Sequence, residues 1–202
     1  MSTVTTLTAS VRERVGKGAA RATRRSGLVP GVIYGAKQAP VSFAIDPRLV
    51  WAELRKPGFH TRLFDVDLGE GGKHRVLARD VQFHPVTDQP IHLDFLRVSA
   101  DSRLHVKVPV HCVNHDKAPG IKKGGVLNIE HHEIEVTCTP DHIPAEYTID
   151  LTGFEIGTSV HLKDVSLGAG VTPYHLAADA TIVAIAPPTV ARGEAAAATP
   201  EA

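Results

Sequence analysis

Residues 11–35 read VRERVGKGAARATRRSGLVPGVIYG, and they combine the densest positive charge of the chain with a predicted helix, turn and strand. The segment holds six basic residues and one acidic residue, in a chain whose formal net charge is zero. Like charges packed this closely repel one another, so such a run is typical of a surface that faces an extended anion. The opposing interpretation is a solvated face that happens to be basic.

Four of these cations share one face of a predicted helix. Their spacing is i, i+4, i+7 and i+8, and they are Lys17, Arg21, Arg24 and Arg25. Gly27 follows at the position of a C-terminal cap, and residues 32–34 (VIY) then predict a strand that ends on an aromatic ring. The segment therefore predicts a short basic helix that returns directly into a strand.

The charge of the chain is divided between its two halves. Residues 1–98 contain 15 Lys and Arg against 9 Asp and Glu, whereas residues 99–202 contain 7 against 13. The net charges are therefore +6 (15 − 9) and −6 (7 − 13). This asymmetry predicts a polyanionic partner for the first half only.

Length and composition exclude several classes of protein. A chain of 202 residues has room for two domains, and its abundant Val, Ile, Leu and Thr favour β structure. No apolar run approaches the roughly 18 residues that a membrane span requires, and the first residues lack the apolar core of a signal peptide. Two cysteines cannot form a disulfide framework. We expect a soluble, unexported chain with reduced thiols.

Alternating apolar residues predict a mainly β protein with short helices. In residues 1–98, about six strands and short helices indicate a small barrel. One of these helices begins at Asp46-Pro47, with Leu49, Val50 and Leu54 facing inward.

The second domain, residues 99–188, is predicted to consist almost entirely of strands, mostly antiparallel and with turns at sandwich-like spacing. Its predicted strands are 104–113, 133–138, 147–151, 160–165 and 181–186. The Ala-rich residues 189–202 have no face to bury and are predicted to be disordered.

The first domain also supplies the polar and aromatic side chains that RNA recognition uses. Tyr34 offers a ring on which a base can stack. His92 and Asp94 alternate with Leu93 and Phe95, so the two polar side chains share one face while the apolar pair enters the core. A His and a carboxylate side by side can read a base or ribose edge. Periodicity alone favours the alternative, an ordinary pair on the protein surface.

The sequence gives little support for a metal site or an enzyme. Cys112-x-x-His115 and Cys138-x-x-x-His142 have ligand-like gaps, but both cysteines also fit strand positions. No nucleophile elbow, phosphate-binding loop or dinucleotide motif is present. We therefore expect no catalytic residue, no cofactor and no small-molecule substrate.

The run GKGAARATRRSGLVPGVIYG resembles the signature of a bacterial ribosomal protein family that binds 5S ribosomal RNA, the twenty-fifth protein of the large subunit. The long form of this family is also called the general stress protein CTC. Further matches are ARDVQFHP at 78–85, HLDF at 92–95, and shorter segments of the second half at 124–127, 143–144 and 158–161. The resemblance extends over residues 5–188 and is strongest in the first 98.

The resemblance implies a first domain with a six- or seven-stranded barrel, similar to the anticodon-binding barrel of glutaminyl-tRNA synthetase. Such a barrel grips the minor-groove side of a loop-containing helix of 5S RNA. Carried over position by position, the RNA contacts fall on Arg12, Arg24, Arg25, Tyr34, His92 and Asp94, with Lys17 and Arg21 as supporting phosphate contacts. The implied partners are 5S rRNA, the 50S subunit and neighbouring ribosomal proteins, in the cytoplasm and away from membranes.

Two functions are compatible with this resemblance. One is a structural constituent of the ribosome, held on 5S RNA. The other is a free RNA-binding general stress factor or RNA chaperone that uses the same basic face without residing on the ribosome. Some long members end in a Glu-rich tail, whereas this chain has only Glu194 and Glu201 in that region. The sequence does not identify what the acidic second domain contacts.

Overall fold

Strands form where apolar residues alternate in the first half of the chain. The structure is a computed structural model that describes residues 5–99 and 102–188, so the tail predicted to be disordered lies outside the described residues. The strands of the first half are β1 (Thr5–Thr8), β2 (Ser10–Val11), β3 (Val29–Gly35), β4 (Gln38–Ile45), β5 (Leu63–Asp67), β6 (Lys73–Phe83) and β7 (Pro90–Arg97). The basic helix predicted between β2 and β3 is confirmed as α1 (Lys17–Arg25).

These seven strands form one nearly closed sheet, in the order β1-β5-β6-β7-β3-β4-β2. Its two edge strands, β1 and β2, are consecutive in the chain and separated by Ala9 alone. β1 pairs in parallel with β5, while β2 pairs antiparallel with β4. Because a single residue connects the two opposite edges, the sheet has to curl round on itself. The predicted small barrel is confirmed.

Aromatic side chains fill the inside of this barrel. Phe43, Phe64 and Phe95 are fully buried, and the rings of Phe43 and Phe95 stack with their centroids 5.5 Å apart. Gly31 makes room for this stack, since a Cβ there would lie 2.3 Å from the ring of Phe43. The inward residues of the strands therefore build one continuous apolar core.

The helix α2 (Pro47–Leu54) begins as its sequence predicts, because the Asp46 carboxylate accepts a hydrogen bond of 2.8 Å from the backbone N–H of Arg48. Its predicted inward face is partly wrong. Val50 is buried and Leu54 half-buried, but 40% of Leu49 is exposed. The inward stripe of this short helix passes through Val50, Glu53 and Leu54, and Leu49 falls at its margin.

Glu53 is a buried carboxylate held by two cations. Its two oxygens lie 2.6 Å from Nζ of Lys56 and 2.9 Å from Nη1 of Arg62. Burial acts to raise the pKa of Glu53, but the hydrogen bonds from Lys56 and Arg62 outweigh it and lower that pKa overall. Arg62 also donates to the carbonyl of Glu53 at 2.9 Å. These bonds join the end of α2 to the residue that precedes β5.

The second half of the chain forms two further sheets. Its elements are β8 (Leu104–Val113), α3 (Pro119–Lys122), β9 (Val126–Ile129), β10 (Glu133–Cys138), β11 (Tyr147–Asp150), β12 (Ser159–His161), β13 (Thr172–Pro173) and β14 (Thr181–Ala186). The sheet orders are β11-β8-β10-β13 and β12-β14-β9. A mainly β architecture with a second, sheet-built domain is thus confirmed, although β11 pairs with β8 in parallel.

The predicted strand at 160–165 is wrong in its second part. β12 ends at His161, and Leu162–Asp164 form a 3-10 turn. The turn forms because the Asp164 carboxylate accepts a hydrogen bond of 3.1 Å from the backbone N–H of His161, which caps its start. The short strands β9 and β13 have no counterpart in the sequence prediction.

Grouping by spatial contacts divides the described residues into two units. The first unit extends to Val106 and includes Thr137–Ala145, and the second comprises Lys107–Val136 and the chain from Glu146 onward. None of the helices that the structure describes has the length and apolar character needed to cross a membrane.

Candidate nucleic-acid interface

Helix α1 presents its cations to solvent. Lys17, Arg21, Arg24 and Arg25 are all exposed, and no residue of α1 is buried. Within the described part of the chain, none of the four forms an ion pair with a carboxylate. Arg24 and Arg25 occupy the last turn, where positive charge is favourable next to the carbonyl end of the helix. The helix therefore carries a concentrated positive charge that no carboxylate of the described residues pairs with.

Arg12 holds this helix in place as well as adding charge. It is half-buried, its Nε donates to the carbonyl of Phe43 at 3.0 Å, and its Nη1 donates to Oγ1 of Thr23 at 3.4 Å. These two bonds connect β4 with α1. Burial lowers the pKa of Arg12, and the positive charge of Arg24 lowers it further. Arg12 and Arg24 are therefore close enough to interact electrostatically.

Arg24 connects the helix to the strand that carries the predicted reading pair. Its Nε donates a hydrogen bond of 2.9 Å to the carbonyl of Ile91 in β7. His92 is the next residue along that strand. The cationic helix and the polar face of β7 are thus parts of one surface.

The outer face of the barrel brings Tyr34, His92 and Asp94 together. In the parallel pairing of β3 with β7, Val32 lies opposite Asp94 and Tyr34 opposite Leu96. Their neighbours Ile33, Leu93 and Phe95 are buried. Alternation along both strands therefore places the three predicted contact residues on the same side of adjacent strands, as their sequence pattern indicates.

His92 and Asp94 approach each other closely without satisfying the carboxylate. The distance from Nδ1 of His92 to Oδ1 of Asp94 is 2.6 Å, which is within ion-pair range. The approach lacks hydrogen-bond geometry, so Oδ1 is enclosed yet has no hydrogen-bond donor among the described residues. Hydrogen-bond strength falls steeply with misalignment, so this short contact is electrostatic rather than a well-formed hydrogen bond. The Asp94 side chain as a whole is 30% exposed, so part of it remains accessible from solvent.

Two further polar residues, which the sequence analysis did not single out as contacts, complete this face. In the pairing of β6 with β7, Gln82 lies opposite His92 and Asp80 lies opposite Asp94. Like charges directly opposite on neighbouring strands are destabilising, so the Asp80–Asp94 pair is not explained by sheet stability. The alternation in ARDVQFHP could have indicated their exposure. It could not have given their register, which depends on a bulge between Ala78 and Asp80.

The phenol of Tyr34 is held in its neutral form. Burial raises the pKa of Tyr34, the negative charge of Asp94 raises it further, and Asp80 adds to this against the opposing effect of Arg79. Tyr34 is half-buried, so its ring is partly available for stacking while its hydroxyl stays protonated at neutral pH. These side chains together offer a ring, a carboxylate acceptor and an imidazole on one surface.

The cysteine and histidine pairs do not build a comparable site. Within residues 5–99 and 102–188, no group of three or more His, Cys, Asp or Glu side chains is placed to hold a metal ion. Cys112 and Cys138 are free thiols, and burial raises the pKa of both. A raised pKa leaves a thiol protonated and chemically inert at neutral pH.

Comparison with known proteins identifies the family of the chain. The family model described as the ribosomal L25p family matches residues 7–95, and the one described as the C-terminal domain of ribosomal protein TL5 matches residues 103–189. A relative from Paramagnetospirillum magneticum named "Large ribosomal subunit protein bL25" is 63% identical over 96% of both chains. The chain belongs to the bL25 family. The presence of both matched domains makes it a long-form member.

Other bL25 relatives also match along nearly the whole chain. The protein of the same name from Rhodospirillum rubrum is 52% identical over 98% of this chain and 94% of its own length. The one from Mesorhizobium japonicum is 48% identical over 94% of this chain and 88% of its own length. The bL25 family is structural and non-enzymatic, which agrees with the missing catalytic motifs.

Proposed function

We propose that this chain is a structural constituent of the large ribosomal subunit and that it binds 5S ribosomal RNA through its first domain, residues 1–98. Membership of the subunit is supported by the name of the relatives, with which it aligns over nearly its full length. The net charge of +6 in the first domain against −6 in the remainder supports a polyanion partner on that domain.

Helix α1 supplies the phosphate contacts in this proposal. Lysine and arginine in an extended row neutralise successive phosphates and displace counterions, and arginine can bind a phosphate through two parallel hydrogen bonds. The cations Lys17, Arg21 and Arg25 are exposed, so forming these contacts requires no rearrangement of the barrel. Arg12 and Arg24 add charge and hold the helix against β4 and β7.

The outer face of β3, β6 and β7 supplies recognition. The minor groove of an RNA helix displays 2′-hydroxyl groups and base edges, and unpaired bases can stack on aromatic rings. The partly exposed carboxylate of Asp94 suits a hydroxyl or amino donor, and Tyr34 suits a base. The observation that carries the proposal is the bond from Arg24 to Ile91, which joins the exposed cations of α1 to the strand bearing His92 and Asp94.

Recognition of 5S RNA can be tested against a ligand of equal charge. The full chain is titrated with intact 5S RNA and with a variant whose internal loop is replaced by Watson–Crick pairs. We expect at least about tenfold tighter binding to the intact RNA, because charge alone is the same in both. Equal affinities would leave only nonspecific phosphate binding and would contradict the proposal.

Residence on the ribosome separates the structural role from that of a free stress factor or RNA chaperone. We expect the chain to co-sediment with 50S particles of the cytoplasm in moderate salt, in a ratio close to one per particle. A chain that remains at the top of the gradient, while still binding isolated RNA, would favour the free factor.

A further inference from the structure

The second unit contains a groove of about 550 Å³ that the RNA proposal does not use. One side is lined by β11, including Thr148, and the other by Ser159 of β12 and the turn that follows it. β11 is the edge strand of the four-stranded sheet, and β12 is the edge strand of the three-stranded sheet. Two sheet edges therefore border the same groove.

The backbone of β11 directs hydrogen-bonding groups away from its own sheet. Leu151 donates its N–H to the carbonyl of Val113, at 3.2 Å, on the side of β8. Because peptide groups alternate in direction along a strand, Ile149 also faces β8, whereas Thr148 faces outward. The peptide N–H and C=O of Thr148 therefore point away from β8, and no turn or loop bond among the described residues involves them. An unpaired strand edge of this kind is a template for another strand.

The groove also has a definite charge. Three carboxylates, those of Glu146, Asp150 and Asp164, line it, and no Lys or Arg does. Hydrogen bonds from Thr152 and then Asn114 lower the pKa of Asp150, which keeps it ionised at neutral pH. The described residues of the second unit carry nine acidic side chains against five Lys and Arg. The occupant that complements this surface is positively charged.

The remaining lining is apolar and suits an alternating sequence. Phe154 and Val165 are half-buried, and Val160 is buried beneath the groove. Side chains of an added strand alternate between two faces, so one face can pack on this apolar lining while the other meets the carboxylates. Residues 189–202 of this chain do not fit, because they carry Glu194 and Glu201 against Arg192 alone.

We propose that the groove between β11 and β12 binds an extended basic peptide segment of another protein, which adds as a strand to the outer edge of β11. Main-chain hydrogen bonds to Thr148 supply the pairing, and Glu146, Asp150 and Asp164 select for positive side chains. This binding is independent of RNA recognition by the first domain.

The first test compares three labelled peptides on the full chain without RNA, by fluorescence anisotropy. One alternates Arg with Val, the second replaces Arg by Glu, and the third keeps the Arg–Val sequence but is N-methylated at every other residue. We expect the first to bind at least about tenfold more tightly than the others, since only it has both the charge and the N–H groups that strand addition requires. Equal binding of the N-methylated peptide would overturn strand addition.

A matched pair of variants tests the location. Glu146 and Glu155 are both exposed, and each lies 3.7 Å from a nitrogen of one basic side chain, His111 and Lys123, respectively. Only Glu146 lines the groove. We expect Glu146→Lys to weaken binding of the Arg–Val peptide at least about fivefold and Glu155→Lys to leave it unchanged. Equal weakening in both would show a general charge effect and would overturn the site.

The amide of Thr148 gives a direct readout of pairing. We expect its hydrogen exchange, measured by NMR on the full chain, to slow when the Arg–Val peptide binds, because an added strand accepts from this N–H. Unchanged exchange at Thr148, together with saturable peptide binding, would place the peptide elsewhere and overturn the proposal.

Discussion

Asp94 is the residue at which recognition and stability can be separated. Its side chain is 30% exposed, and its Oδ1 lies 2.6 Å from Nδ1 of His92 without hydrogen-bond geometry. It also faces another carboxylate, Asp80, on the neighbouring strand. Both features cost stability, so the fold alone does not account for a carboxylate at this position.

We predict that Asp94→Ala weakens binding of 5S RNA by about tenfold or more, because a polar group of the RNA loses its partner in a desolvated site. The melting temperature should barely change. The loss should persist in high salt, since a carboxylate is not a counter-charge for phosphate. Filter binding at several salt concentrations measures this.

Asp65→Ala is the matched control for Asp94→Ala. Asp65 lies on β5 of the same barrel, and its side chain is 29% exposed, compared with 30% for Asp94. Its partner is Arg75 rather than a residue of the proposed interface. RNA binding that is equal in the Asp94 variant, the control and the parent would return His92 and Asp94 to the status of an ordinary surface pair.

The sequence predicted some residues of this face and missed others. Alternation around Leu93 and Phe95 predicted that His92 and Asp94 share a face, because period two is a local property of a strand. Asp80 was missed as a neighbour of Asp94, because the pairing register between distant segments depends on a bulge that has no local signature.

At the scale of elements, α1 is a helix that contributes charge rather than core. It buries none of its residues, and it is held by single hydrogen bonds from Arg12 to β4 and from Arg24 to β7. The spacing of its four cations in the sequence predicted that they share one face. The sequence could not predict the hydrogen bonds of Arg12 and Arg24 that fix the helix, because both end on backbone carbonyls far along the chain.

We predict that Arg24→Ala with Arg25→Ala weakens RNA binding broadly and reduces the slope of log affinity against log salt by about 2, because each arginine neutralises a phosphate. The fold should survive. The control is Arg48→Ala with Arg55→Ala, which removes the same charge from exposed positions at α2. This control should leave the RNA affinity and its salt dependence nearly unchanged. A collapsed thermal melt of the α1 variant would instead assign that face a structural role.

Glu53 makes the attachment of α2 dependent on pH. Its pKa is lowered in the folded state, so its contribution to stability is present above the unfolded pKa and is lost as the pH falls through the folded one. We predict that Glu53→Gln lowers the free energy of unfolding by about 1.5–3 kcal/mol at neutral pH. Urea denaturation at neutral and acidic pH should show this difference shrinking on acidification, and a constant difference would contradict it.

At the scale of the whole molecule, the sequence predicted a barrel followed by a second β domain, and the structure has this architecture. Strands of four or more residues with strict alternation were found, because that pattern reports burial on one face. Short strands such as β13 were not predicted, because they depend on distant pairing partners. The turn after His161 was not predicted either, because it depends on one capping carboxylate, that of Asp164. The groove beside β11 could not be predicted from the local sequence pattern either.

We predict that residues 1–98 alone bind 5S RNA as tightly as the full chain or more tightly, because the acidic domain adds repulsion rather than contacts. The fragment should melt at a somewhat lower temperature, since it loses the hydrogen bonds of Thr61 to Ala145 and of Arg79 to His105. Circular dichroism first checks that the fragment is folded, and titration then compares affinities at equal salt. If residues 99–202 carried most of the affinity, the assignment of RNA binding to the first domain would be wrong.

The connection of both barrel edges through Ala9 has a consequence during synthesis on the ribosome. Translation delivers the N-terminal strands first, yet β1 has no partner until β5 has emerged, and the bond from the Ala9 N–H to the Asp67 carbonyl, 2.9 Å long, closes the seam. The barrel is complete only when β7 has also emerged and joined β6 to β3. A nascent chain that stalls before Asp67 therefore leaves β1 without its partner strand, and its sheet edge stays open to pairing with other chains.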